Sequence, residues 1–167
     1  CRADWKQRAE NGDPALTGWE PPSTLLSPAN DDAMNYLQAV ARAFVSIAQD
    51  VGAAIRFQVG EPWWWIMPDK RICLYDAAAR AAFGEDSVSI ASIDGPKTSQ
   101  QEAMLDQAGA ILAASTAALI DAVKEEAGAA PVETLLLAYL PTILDTHAPE
   151  AKRANLPVGW ASPAFDI

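Results

Sequence analysis

The chain has 167 residues, half of them apolar and a fifth charged. That composition excludes collagen-like, disordered and disulfide-scaffold chains and suits one globular domain. Twelve Lys and Arg stand against 22 Asp and Glu, a net charge of −10, so a polyanionic nucleic acid is not an expected partner.

No uninterrupted apolar run reaches the ~20 residues that span a bilayer, so no membrane span is expected. Two cysteines, Cys1 and Cys73, build no disulfide framework. The first residue is Cys1, and the chain stops inside the apolar stretch 163–167. The reading taken from these ends is a piece excised from a longer protein. The alternative is an unrelated secreted lipoprotein whose lipid-bearing residue is Cys1.

In chain order, residues 1–30 read as an irregular loop. Pro14, Pro21, Pro22 and Pro28 interrupt any long element, because proline lacks a donor and restrains its predecessor. Trp5 and Trp19 are its expected anchors. A helix is predicted over about 31–51, capped by Asp31 or Asp32. Met34, Leu37, Val40, Ala41, Phe44, Ile47, Ala48 and Val51 recur at spacings of three and four and read as one apolar stripe.

A strand follows at about 54–60, with Ile55, Phe57 and Val59 on one face and Arg56 and Gln58 on the other. Pro62 ends it. After Trp63, Trp64 and Trp65, a turn at Pro68-Asp69-Lys70 predicts a small hairpin closed by 72–75. Asp76 is placed to cap a short alanine-rich helix that stops near Gly84. The longest helix is predicted over about 99–127, opened by the Ser99/Glu102 capping-box spacing and closed by Gly128. The run 133–140 is apolar without alternation, as in a parallel strand covered on both faces. Residues 141–163 read as a second Pro-rich loop, and 164–167 as the opening of another strand.

Helices alternating with apolar strands give an α/β fold with parallel strands. The strands are too few to close a (β/α)8 barrel. The expected architecture is therefore a partial TIM-barrel-like slice with long helices and Pro-rich loops. Residues 1–167 form a single domain or a fragment of a larger such domain, with 1–30 irregular and 31–167 as the core.

The sharpest chemical signal is Gln58-Val59-Gly60-Glu61-Pro62-Trp63-Trp64-Trp65. It places a carboxyl group beside indoles at the carboxyl end of a strand, where parallel folds bind ligands. Desolvation against tryptophan raises a carboxyl pKa, which suits a general acid in glycosidic cleavage. Flat indole faces suit sugar rings. Glu61 is thus the candidate acid/base, and Gln58, Trp63, Trp64, Trp65, Tyr139 and Trp160 are the candidate substrate contacts. Glycoside hydrolysis needs a second carboxylate ~5–5.5 Å or ~6.5–9.5 Å away. The residues available are Asp76, Asp145 and Asp166. His147 is the only histidine, so no metal site is predicted, and no phosphate-binding glycine motif implies a nucleotide cofactor.

Several segments together resemble a family of bacterial prophage tail proteins, related to phage and gene-transfer-agent tail components of the non-contractile tail sheath type. They are Phe57–Trp65, Ile72-Cys73-Leu74-Tyr75-Asp76, Leu137-Ala138-Tyr139-Leu140-Pro141, Arg153-Ala154-Asn155-Leu156-Pro157 and Gly159-Trp160-Ala161-Ser162-Pro163-Ala164-Phe165-Asp166. The resemblance covers about 20–167. It implies a TIM-barrel-like domain, similar to glycoside hydrolases, inside a larger tail protein, with Glu61 at the position of a barrel acid/base. Such hydrolases often carry Asn before that glutamate; here the residue is Gly60. The family pattern continues past Ile167, where a nucleophile would lie. Implied partners are other tail subunits and cell-envelope polysaccharide. The implied location is a virion tail or prophage-encoded particle, cytoplasmic during assembly. The function expected is a structural tail domain contacting envelope glycans; the alternative is an active glycoside hydrolase using Glu61.

Overall fold

The computed structural model describes residues 2–60 and 65–166. Helix α1 spans Asp31–Asp50, strand β1 Ile55–Val59, α2 Ala77–Phe83, α3 Ser99–Ala127 and β2 Val132–Leu136. Two short helices follow, α4 over Leu140–Ile143 and α5 over Ala151–Asn155. The N-terminal 30 residues hold more order than their prolines suggest. Isolated antiparallel bridges join Lys6 to Leu26, Arg8 to Pro14 and Leu16 to Thr24. Their buried residues Ala9, Ala15 and Leu25 pack with Met67 and Cys73 of the hairpin.

β1 and β2 pair in parallel, from Ile55 opposite Val132 to Val59 opposite Leu136. The connection between them runs through the hairpin, α2 and α3, since parallel neighbours need a long crossover. Among the described residues the sheet is covered on one face. Ile55 and Phe57 pack with Ala41 and Val45 of α1 and Val123 and Ala127 of α3. On the opposite face Arg56 and Gln58 are exposed, and Arg56 Nε meets Glu133 Oε2 at 2.7 Å across the register.

α3 organises the main core. Met104, Leu105, Ala108 and Leu112 are buried among Trp65, Leu74, Ile90 and Trp160. Its N-terminus carries a capping box, but one residue earlier than the spacing predicts: Thr98 and Gln101, not Ser99 and Glu102. By length and composition α3 is also apolar enough to cross a membrane, contrary to the expectation of no such span, because isolated polar residues divide its apolar stretches. Half of that window is buried inside the fold, as in a core helix.

Five further expectations are corrected. α1 is capped by Asn30, whose side chain accepts from the Ala33 amide at 2.9 Å, while Asp31 and Asp32 occupy the first turn. The stripe read along α1 is two faces: Met34 and Ala41 are buried, whereas Phe44, Ile47 and Val51 are exposed. β2 stops at Leu136 because Tyr139 caps α4 and Pro141 sits in its first turn, and 141–163 holds helical segments. The segment 164–166 forms no strand, although the Asp166 amide donates to the Thr134 carbonyl at 3.0 Å on the edge of β2 away from β1. Ile167 lies outside the described residues.

Candidate functional site

The carboxyl ends of β1 and β2 converge through one contact. Beyond the paired strands the Leu137 amide donates to the Val59 carbonyl at 2.8 Å. Gly60 follows with φ +138°, and a Cβ built there would lie 2.3 Å from the Leu137 carbonyl oxygen. Only a residue without a side chain lets the backbones approach this closely. Gly60 and the residues after β2 therefore meet at one rim. Leu137 and Tyr139 are partly exposed there, Tyr139 at 41%. Gln58 is exposed one residue below Val59.

Glu61, Trp63 and Trp64, the centre of the predicted site, lie outside the described residues, as does Pro62. Trp65 is described, and it turns inward with φ +59°. It is 0% exposed, and its indole N–H donates to the Ala108 carbonyl of α3 at 3.2 Å. Trp160 is also core: it is 6% exposed and donates from Nε1 to Thr116 Oγ1 at 2.8 Å. Trp65 is fully enclosed, and Trp160 keeps only a small exposed edge, beside a recess of about 160 Å³ that it shares with Gly159 and Phe165.

The three candidate second carboxylates are engaged elsewhere. Asp76 is the buried cap of α2, accepting from the Ala78 and Ala79 amides at 3.1 Å each. Burial pushes its pKa up, and those amides pull against the shift. Asp145 binds Lys70 Nζ at 2.6 Å and the His147 amide at 2.9 Å. The Lys70 bond and that amide hold its carboxyl down to about 2. Asp166 accepts from the Thr134 amide at 2.8 Å and the Thr134 hydroxyl at 2.7 Å, which keeps its pKa low. Thr134 is the middle residue of β2, so Asp166 stands below the rim.

Two clusters escape any reading of the sequence because their members are far apart in the chain. Lys70, Asp145 and His147 link the hairpin turn to the segment after α4. Arg153 of α5 reaches Glu150, and Glu102 and Asp106 of α3. Cys73 is a buried thiol that burial pushes up to about 12, a packing residue at neutral pH. Among the described residues no group of three or more His, Cys, Asp or Glu is gathered to hold a metal ion. Two large recesses lie away from the strand ends. One of about 490 Å³ separates α1 from α3 beside Met34 and Ile111; another of about 640 Å³ borders Arg153 and Val158.

A parallel strand–helix–strand unit, with helices on one sheet face and loops at the carboxyl ends, is the arrangement from which α/β barrels are built. The TIM-barrel family of non-contractile tail sheath proteins matches residues 1–167. The chain belongs to that family, and is a structural domain of the phage tail-sheath type. Such a domain has its place in a virion or prophage particle, with other tail subunits as partners. No curated protein and no solved structure matches the chain.

Proposed function

We propose that this chain is one sector of a larger TIM-barrel domain, whose strand-end rim contacts cell-envelope glycan while the barrel serves as tail scaffold. The open sheet face supports the first half. All-parallel sheets are covered on both faces, and a barrel buries the face that its helices leave free. Arg56, Gln58, Glu133 and Leu135 would then line the barrel interior.

The observation that carries the rim assignment is the Gly60–Leu137 contact. It brings Gly60 and Leu137 together at one end of the sheet, two residues before Tyr139. In this reading Gln58, Tyr139, Trp63 and Trp64 supply flat and hydrogen-bonding surface, and Glu61 accepts from a sugar hydroxyl. With Trp65 and Trp160 in the core, two of the four candidate indoles are left for this surface. The engagement of Asp76, Asp145 and Asp166 favours binding over hydrolysis, since each already holds amide or cation partners.

Co-sedimentation of the full-length tail protein with purified envelope polysaccharide, alongside an assay for new reducing ends, tests this reading. Binding without reducing-end release is expected. Trp64→Ala and Tyr139→Ala should each weaken it roughly three- to tenfold, the size of one lost stacking contact. Release of reducing ends that Glu61→Gln abolishes would make the domain a glycoside hydrolase. Absence of polysaccharide binding would leave the scaffold role alone.

A further inference from the structure

The N-terminal layer closes on itself. Its segments 5–9, 13–17 and 23–27 are joined by two rings of backbone hydrogen bonds. In the first, the Gln7 amide donates to the Leu25 carbonyl at 3.0 Å, Leu25 to Ala15 at 3.2 Å, and Ala15 back to Gln7 at 2.9 Å. In the second, Ala9 donates to Asp13 at 2.9 Å, Thr17 to Ser23 at 2.9 Å and Ser27 to Trp5 at 2.8 Å. Each segment therefore holds both of the others. Alternation along them turns one set of side chains inward, and Gln7, Ala9, Ala15, Thr17, Leu25 and Ser27 are all buried.

Three oxygens on the inner side have no hydrogen-bond partner among the described residues: Gln7 Oε1, Ser27 Oγ and Asp76 Oδ2. Gln7 and Ser27 are fully buried, and Asp76 is 2% exposed. The three are neighbours. Gln7 Nε2 donates to the Leu26 carbonyl at 3.0 Å, and that carbonyl belongs to the peptide bond leading into Ser27. The Ser27 hydroxyl in turn adjoins the Asp76 carboxyl. The other carboxyl oxygen, Oδ1, is occupied by the Ala78 and Ala79 amides that open α2.

A buried oxygen without a partner costs stability, so the number of hydrogens in the cluster decides its arrangement. With Asp76 ionised, the three oxygens share one hydrogen, that of the Ser27 hydroxyl, and it reaches only one neighbour. With Asp76 protonated they share two, enough to bridge Asp76 to Ser27 and Ser27 to Gln7. We infer that the folded chain holds a proton on Asp76 Oδ2 as a latch between the N-terminal layer and α2. Oδ2–H donates to Ser27 Oγ, and the Ser27 hydroxyl, able to accept and donate at once, gives its own hydrogen to Gln7 Oε1. Burial of the carboxyl acts in the same direction, because it disfavours the charged form.

As pH rises the proton leaves Oδ2 for water, the Ser27 hydroxyl turns to the new carboxylate, and Gln7 Oε1 loses its donor. The carboxylate and the orphaned Gln7 oxygen both gain water when the layer lifts, so the layer opens more readily. Other charged and titratable groups stand around the cluster. On the segment before Asp76, burial pushes the Cys73 thiol and the Tyr75 hydroxyl up to about 12. On α2, Arg80 Nε donates to the Tyr75 carbonyl at 2.9 Å. On the N-terminal layer, Arg8 turns to the Ala3 and Gly12 carbonyls, and Glu10 bonds the Ser89 hydroxyl at 2.7 Å. At the start of α1, Asp31 and Asp32 are exposed. The titration is therefore read at Asp76 itself.

Carboxyl carbon-13 shifts of the chain labelled at aspartate report that titration, with the signal assigned by its loss in Asp76→Asn. The parent midpoint should lie above the ~3.9 of an exposed aspartate. In the latch Ser27 accepts from the protonated form, so Ser27→Ala should lower the midpoint. Gln7→Met keeps the length of the side chain without its oxygen. It frees the Ser27 hydrogen for the carboxylate and should lower the midpoint too. A Ser27 hydroxyl that only donates to the carboxylate gives the opposite sign. A midpoint raised by Ser27→Ala overturns the inference, as does a midpoint that either substitution leaves in place.

Hydrogen exchange at the Gln7, Ala15 and Leu25 amides reads the opening of the layer. After correction for intrinsic rates, protection in the parent should fall at least about threefold from about pH 4 to about pH 7. In Asp76→Asn the side-chain oxygen still caps α2 while its amide nitrogen donates to Ser27 at every pH, so protection should stay high and flat. An equal fall in Asp76→Asn and the parent overturns the inference.

Discussion

Gly60 and Leu137 approach so closely that a methyl group added to the glycine would lie 2.3 Å from the Leu137 carbonyl oxygen and 2.8 Å from its Cβ. The contact joins the ends of the two parallel strands and fixes which segments share the rim. Because the nearest atoms include backbone, the site cannot relax by turning a side chain.

Gly60→Ala should therefore destabilise the fold by about 3 kcal/mol, combining left-handed strain with the clash. Gly95 provides the control. It too has a positive φ, +77°, but a Cβ there would meet nothing within 4 Å. Its alanine variant should lose only about 1–2 kcal/mol, the conformational part alone. Urea denaturation of the two variants compares them directly. Equal losses would mean that the Leu137 contact is not tight in solution.

Much of the fold was legible in the sequence, for reasons that also mark where legibility stops. α3 announced itself through a long periodic run closed by Gly128, and α2 through its alanines between Asp76 and Gly84. In α1 the three-and-four spacing found the helix but merged its inward and outward faces, since both are apolar. Only burial separates Met34 from Phe44. The apolar run after β2 read as strand to 140, yet Tyr139 and Pro141 turn it into a helix. Three consecutive tryptophans looked like one platform; a positive φ at Trp65 sends that ring into the core. Lys70 and Asp145 are 75 residues apart, beyond any local pattern.

Trp160 and Thr116 offer a measurable polar link inside the apolar core. The indole donates to Thr116 Oγ1 at 2.8 Å, and that hydroxyl lies 3.0 Å from the carbonyls of Leu112 and Ala113. Thr116→Val keeps the shape but strands the buried indole N–H, at about 1–3 kcal/mol. Trp160→Phe removes that donor. In a double-mutant cycle the valine substitution should cost about 1 kcal/mol less in the phenylalanine background. Additive losses would show that the two residues are independent.

Arg153 ties α5 to α3 by bonding Glu102, Asp106 and Glu150 with one guanidinium. The three carboxylates push its own pKa up. Arg153→Met should lower the melting temperature by several degrees, because it leaves three acidic groups facing one another in an already acidic chain. The deficit should shrink at high salt, where that repulsion is screened. Arg153→Lys should recover only part of the loss, since an ammonium cannot form the same planar fork. Thermal unfolding at low and high ionic strength reads all three effects. A deficit that is independent of salt would point to lost packing of the arginine stem.

Asp145 and Asp76 should pull the pH dependence of stability in opposite directions. Lys70 holds the folded-state pKa of Asp145 at about 2, below the ~3.9 of an unfolded aspartate. As pH falls from ~4 toward ~2 the unfolded chain takes up the proton first, so this group's stabilisation is full above that window and lost within it. Asp76 is raised by burial, so its sign is reversed. The unfolded chain ionises first, and stability from the protonated form declines as pH rises above ~4 through the raised value. Urea midpoints between about pH 2 and pH 6 should show Asp145→Asn less stable than the parent at pH 6. The two should converge toward pH 2, with a flatter acid limb in the variant. Asp76→Asn keeps a capping oxygen for the Ala78 and Ala79 amides and should flatten the decline above ~4. Parallel curves for Asp145→Asn and the parent would mean that Lys70 does not stabilise the ionised carboxylate in the folded protein.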